Sequence, residues 1–185
     1  MRVFAALPLP KGAVEEISAL LAPIRRTHPQ LRWVSPSAYH LTLHFFGEVE
    51  GELLAGLRRV FADPRLARAP ITAKLGPLGQ FPGGGNPRVI WIGLREDDGQ
   101  LRSYWELFES ALSPLGWEPD KRGFTPHVTL ARNSGSPVTP GWDSDAQVSE
   151  HRLSINECVL FQSILGRGGA EYVPLERITF DGGAA

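Results

Sequence analysis

The chain has 185 residues, of which 42% are hydrophobic and 21% charged; this fits one globular domain and excludes a disordered chain, a coiled coil and a collagen-like repeat. It has no run of 18 apolar residues, no signal-peptide pattern in its first ten residues and a single cysteine, Cys158, so a cytoplasmic protein with no membrane span, intrachain disulfide or cysteine-rich metal site is expected. Nineteen Lys and Arg against 20 Asp and Glu give a formal net charge of −1, which argues against a coat for long nucleic acid but leaves room for a local cationic pocket that holds one or two phosphates.

Gly and Pro punctuate the chain heavily, so short elements are expected. Arg2 to Leu7 reads as a strand closed by Pro8 and Pro10. Val14, Ile17, Leu21 and Ile24 recur at helical spacing from about Lys11 to His28, with Pro23 as a possible kink. Leu31 to Val34 reads as extended, and His40 to Phe46 as a strand. Leu53, Leu54, Leu57, Val60 and Phe61 mark a second helix that stops before Pro64. Ile71 to Leu78 and Val89 to Leu94 read as strands around an irregular Gln80 to Pro87 loop. In a third helix Asp97 and Asp98 offer N-cap oxygens. Leu101, Trp105, Phe108, Leu112 and Leu115 form its face, and Gly116 suits the position after its end. Phe124 to Arg132 reads as a strand and Ser134 to Asp145 as a polar loop. Arg152 to Gln162 and Tyr172 to Phe180 are closing strands joined across Gly166 to Gly169. The order β-α-β-α-β-β-α-β-β-β, with no glycine-rich phosphate loop after any strand, predicts an α+β fold rather than a doubly wound one.

His40-Leu41-Thr42-Leu43 recurs as His127-Val128-Thr129-Leu130, 87 residues later. The simplest geometry is two similar lobes whose motif strands meet at the centre. In a strand, side chains two apart share a face. Each copy therefore presents an imidazole beside a hydroxyl and turns its aliphatic neighbours inward. Two imidazoles across a small cleft suit metal-independent phosphate-ester chemistry. One, neutral, takes a proton from the nucleophile; the other, protonated, gives one to the leaving oxygen, each contributing roughly 10²- to 10⁴-fold. Thr42 and Thr129 can donate to non-bridging oxygens, and Arg132 can add a fixed positive charge.

Alternation also places His44 beside His40 and Thr42, so a metal site through His40, His44 and His127 is a competing reading. HLTLH, however, lacks the glutamate of the zinc-protease helix motif. His28 and His151 read as surface residues and Cys158 as a small buried hydrophobe. Arg25-Arg26 and Arg58-Arg59 read as solvated helix faces, with guidance of an RNA strand as the alternative.

At these residues the chain resembles the two-histidine phosphoesterase superfamily, and within it the bacterial RNA 2′,3′-cyclic phosphodiesterases, also called 2′-5′ RNA ligases. YHLTLHFFGEV and FTPHVTLAR carry the likeness. RVFAALPLP, WVSPSAYHLTL and GAEYVPLERITF extend it nearly end to end; His44 is a local departure. The resemblance implies one bilobal domain over residues 1–185, each lobe an antiparallel sheet flanked by helices, with a cleft between them. It implies opening of a terminal RNA 2′,3′-cyclic phosphate to a 2′-phosphate, reversible as 2′-5′ ligation, with neither metal nor cofactor. His40 and His127 are the catalytic pair it implies, and Thr42, Thr129 and Arg132 the substrate-binding residues. His127 is assigned as base and His40 as acid, an order that can be exchanged. Trp33 and Phe46 are candidates to stack on the terminal base. RNA 3′ ends or cyclic nucleotides are the expected partners of a monomer with no obligate protein partner. The alternatives are a related enzyme for another cyclic phosphate or 2′-5′ oligoadenylate, and a non-catalytic binder of phosphorylated RNA ends.

Overall fold

The computed structural model describes residues 1–117, 123–138, 150–166 and 169–182. Among the described residues, nine strands and three α-helices follow one another as β1 (Arg2–Pro8), α1 (Lys11–Thr27), β2 (Arg32–Trp33), β3 (His40–Glu48), α2 (Gly51–Phe61), β4 (Ile71–Phe81), β5 (Val89–Arg95), α3 (Gln100–Leu112), β6 (His127–Arg132), β7 (Arg152–Ile155), β8 (Glu157–Gly166) and β9 (Gly169–Thr179). The strands pair antiparallel in the order β7-β4-β5-β6-β3-β1-β8-β9, and the short β2 adds to β6. The α+β class expected from the sequence is the one observed.

The repeat is deeper than four residues. β1-α1-β3 and β5-α3-β6 are both strand-helix-strand units whose two strands pair with each other. The offset that carries His40 to His127 also carries Arg2, the start of β1, to Val89, the start of β5. The sheet thus has two four-stranded halves that meet where β3 pairs β6, with Leu41 opposite Val128.

One face of the sheet is the core. Val3, Ala5 and Leu7 of β1, Leu41 of β3 and Val128 and Leu130 of β6 join Ile17 and Leu21 of α1, Leu57 and Phe61 of α2 and Leu101, Phe108 and Leu112 of α3 in one buried cluster. Each helix is amphipathic, and burying one such side chain stabilises by roughly 1.5–3 kcal/mol. Phe4 and Ala6, buried but outside that cluster, point to the other face.

Several boundaries differ from expectation. The predicted strand Arg152 to Gln162 is two strands: β7 pairs β4, β8 pairs β1, and Asn156 alone separates them. Since β7 and β8 lie near opposite ends of the sheet order, the sheet must curl until those ends approach. The N-terminus of α3 is capped by Glu96, whose carboxylate accepts from the amides of Leu101 and Arg102. From the backbone Asp98 accepts a long bond, from the Gln100 amide at 3.4 Å, and its other oxygen takes the Gln100 side-chain amide at 2.6 Å; Gly99 takes a left-handed conformation at φ 72°. Gly116 is left-handed as expected, at φ 82°. β4 runs on through Gln80 and Phe81, and β6 begins only at His127. Of the two predicted loops, positions 139–145 and 167–168 lie outside the described residues.

Candidate active site

The β3–β6 register assembles the motif. Directly opposed residues of an antiparallel pair share a face, and Leu41 and Val128 face the core. Extending the register by one residue sets His40 opposite Thr129 and Thr42 opposite His127, all four on the other face. The two histidines lie on a diagonal, with backbones about 7–8 Å apart.

A β-bulge follows each motif. Along β1 the partners are Ala6↔Thr42, Ala5↔His44 and Phe4↔Phe45, so Leu43 is passed over. Along β5 they are Trp91↔Thr129, Ile90↔Ala131 and Val89↔Arg132, so Leu130 is passed over. A bulge inserts one residue and reverses the alternation beyond it. Arg132, an odd number of residues from Thr129, therefore rejoins the face of the histidines. The same reversal carries His44 to the core face, where its Nδ1–H donates to Oε1 of Glu109 on α3 at 2.7 Å. The shared face of His40 and His44 inferred from alternation is thus corrected, and with it the three-histidine metal reading. At the position equivalent to Arg132 the first half presents Phe45, 61% exposed.

Both imidazoles are held alike. His40 Nδ1 lies 2.8 Å from the carbonyl of Ala38, and His127 Nδ1 lies 2.7 Å from that of Thr125. A carbonyl only accepts, so each Nδ1 carries hydrogen and each neutral ring keeps its Nε2 lone pair for chemistry. Aromatic rings brace them: Phe4 and Tyr172 lie 4.9 and 5.3 Å from His40, and Phe81 and Trp91 lie 5.3 and 6.0 Å from His127. Phe4 and Trp91 are themselves related by the repeat offset. Gly79 makes room for the Trp91 ring; a Cβ there would come within 2.3 Å of it. His40 is pushed down to about 4, first by burial and further by the positive charges of Arg132 and His127, against the Ala38 hydrogen bond.

Other sequence candidates fall elsewhere. Phe46 is buried on the core face against His44 and Trp117. Trp33 donates its indole N–H to the His28 carbonyl and lies under the Arg25 guanidinium. Arg25 also bonds Tyr39 Oη and the Val34 carbonyl, bracing the approach to His40. Arg58 pairs with Glu176. His151 is exposed and His28 half-buried. Cys158 is fully buried, its thiol pushed up to about 12 by burial, and remains protonated. Sequence reasoning missed Phe4, Trp91, Tyr172 and Phe81. Of these, only Trp91 carried a signal, as the repeat partner of Phe4. It also missed Arg32, which sits opposite Arg132 across β2 and β6.

Known proteins resemble this chain in sequence and fold. The LigT-like phosphoesterase family model matches residues 7–91, which include the first motif. An RNA 2′,3′-cyclic phosphodiesterase of Aeropyrum pernix is 33% identical over 89% of this chain and 95% of its own. The chain belongs to the LigT-like phosphoesterase family. A solved structure from Thermus thermophilus superposes with TM-score 0.78 and 31% identity, covering 98% of this chain and 99% of that one. Escherichia coli LigT complexed with 3′-AMP superposes with TM-score 0.76 and 29% identity, covering 97% and 98%.

Proposed function

We propose that this LigT-like phosphoesterase opens terminal 2′,3′-cyclic phosphates of RNA to 2′-phosphates, with His40 and His127 as its acid–base pair. The observation that carries the reading is the paired Nδ1-to-carbonyl clasp. It leaves two like-oriented Nε2 atoms on one face, one on each side of the Leu41–Val128 junction. The relatives named as RNA 2′,3′-cyclic phosphodiesterases supply the substrate class.

His127 Nε2 takes a proton from the attacking water as its oxygen bonds to phosphorus. The P–O3′ bond breaks, and Nε2–H of His40 gives its proton to the departing 3′ oxygen. The ring protons have then exchanged places, and the phosphate remains on the 2′ oxygen. Thr42 and Thr129 hydroxyls donate to the non-bridging oxygens, and Arg132 offsets the growing negative charge. Burial and neighbouring cations keep His40 neutral in the free protein. An anionic phosphate between the rings reverses that balance, so substrate binding brings the proton that His40 later delivers. With a 5′ hydroxyl in place of water as the nucleophile, the same steps join the cyclic end to that hydroxyl through a 2′-5′ bond, and their reversal cleaves that bond. In this reading the chain acts as a single bilobal domain over residues 1–185, a cytoplasmic monomer without metal or cofactor.

The test is product analysis on an RNA ending in a 2′,3′-cyclic phosphate, with chelator present. A 2′-phosphate product is expected. His40→Ala and His127→Ala are each expected to lower kcat by roughly 10²- to 10⁴-fold while remaining folded by circular dichroism. A 3′-phosphate product, or turnover that vanishes with chelator and returns with a divalent ion, would overturn the reading.

A further inference from the structure

Arg32 is the unexplained neighbour of the site. It stands directly opposite Arg132 in the β2–β6 pair, so both guanidinium side chains leave the sheet on the face of the histidines. Both residues are exposed. Like charges directly opposed across a ladder are destabilising. Among the described residues neither has an ion-pair partner, whereas Arg58, Arg65, Arg95, Arg152 and Arg177 each pair with a carboxylate.

The two-residue strand that carries Arg32 is nevertheless firmly placed. Trp33 is tied to the His28 carbonyl and covered by Arg25, and the Val34 amide donates to the Leu130 carbonyl at 2.8 Å. β2 uses the same edge of β6 as β3 does, next to the His40 end of the motif. Arg132 acts electrostatically on His40, and Arg32 lies beside Arg132 on a strand in line with β3. A repulsive pair fixed in this position is a preformed seat for an extended polyanion. The fork of each guanidinium suits a phosphate.

We propose that Arg32, with Arg132, binds the internucleotide phosphate next to the terminal nucleotide, so that the protein prefers an RNA chain end to a cyclic mononucleotide. This rests on the proposed function and names its substrate class. A cyclic mononucleotide fills the seat between the histidines and has no second phosphate to offer Arg32.

The experiment compares the wild-type protein with Arg32→Gln and Arg32→Lys. The substrates are a 2′,3′-cyclic mononucleotide and an RNA oligonucleotide with the same cyclic end. Arg32→Gln is expected to reduce kcat/KM for the oligonucleotide about tenfold more than for the mononucleotide, chiefly through KM. The salt dependence of the oligonucleotide reaction should weaken by about 0.7 in log–log slope. Arg32→Lys should recover part of the loss. Equal losses on the two substrates, or unaltered oligonucleotide kinetics, would overturn the assignment. Wild-type protein that turns over neither substrate would instead refute the proposed activity. Fluorescence anisotropy with a 2′-phosphorylated oligonucleotide then decides the Arg32 assignment. Weaker binding by Arg32→Gln with a smaller salt slope supports it, and identical binding refutes it.

Discussion

His40 and His127 are clasped by the same backbone device but stand in different electrical surroundings. Burial, with Phe4 and Tyr172 against the ring, and then the positive charges of Arg132 and His127 lower His40 to about 4. Catalysis needs one proton on the pair, whichever ring carries it, so exchanging acid and base leaves the profile of kcat/KM against pH unchanged in shape. Below about pH 4 His40 of the free protein is protonated. The rate should therefore rise with pH through about 4 as that proton leaves the pair. Arg132→Gln removes a charge that lowers His40, so it should move the acid limb upward as well as slow the reaction. An acid limb that stays in place in this variant would count against Arg132 facing His40. The residue identities here were legible from the repeated tetrapeptide. The lowering of His40 was not, because it comes from burial and charges contributed by groups distant in sequence.

At the scale of elements, the two bulges decide which side chains share the face of His40 and His127. Strict alternation puts His44 with His40 and His127 and Arg132 away from them. Passing over Leu43 and Leu130 reverses both placements. Neither leucine advertises a bulge, since no glycine or proline marks the site. His44 and Glu109 then form a buried pair between β3 and α3, 13% and 5% exposed, with Glu109 Oε2 left without a partner. Removing one partner leaves a buried carboxyl oxygen without its donor. His44→Ala should thus cost about 1–3 kcal/mol in urea denaturation. The double replacement His44→Leu with Glu109→Leu should cost less than His44→Ala, and a larger loss in the double variant would refute this account of the pair. The repeat offers an internal contrast, since the residue equivalent to His44 is Ala131. The second bulge holds without a polar tie, which identifies the pair as a link between β3 and α3 rather than a requirement of the bulge. The capping of α3 was misread for a related reason. Asp97 and Asp98 have suitable side chains, but the backbone turns at Gly99 and brings Glu96 to the free amides instead.

At the scale of the molecule, the halves of the sheet meet through one registered residue pair, Leu41 with Val128, but share one continuous core. α2, which follows β3, packs Phe61 against Phe108 of α3, which follows β5. Unfolding is therefore expected as a single transition. Tryptophan fluorescence, reporting on the five tryptophans of the chain, should coincide with far-ultraviolet circular dichroism in denaturant. Separated midpoints would show that the halves fold independently. Two histidine-threonine strands, each preceded by a helix and 87 residues apart, are determined by local pattern and spacing, and these are properties of the sequence alone. So are the helices, whose apolar periodicity needs no partner to be read. Tertiary structure decided what depends on partners: the split of one extended run at Asn156 between distant edges of a curled sheet, the faces reversed by the bulges, and the meeting of Arg32 with Arg132. Hydrogen-bond register is a relation between strands, and a single strand's pattern does not contain it.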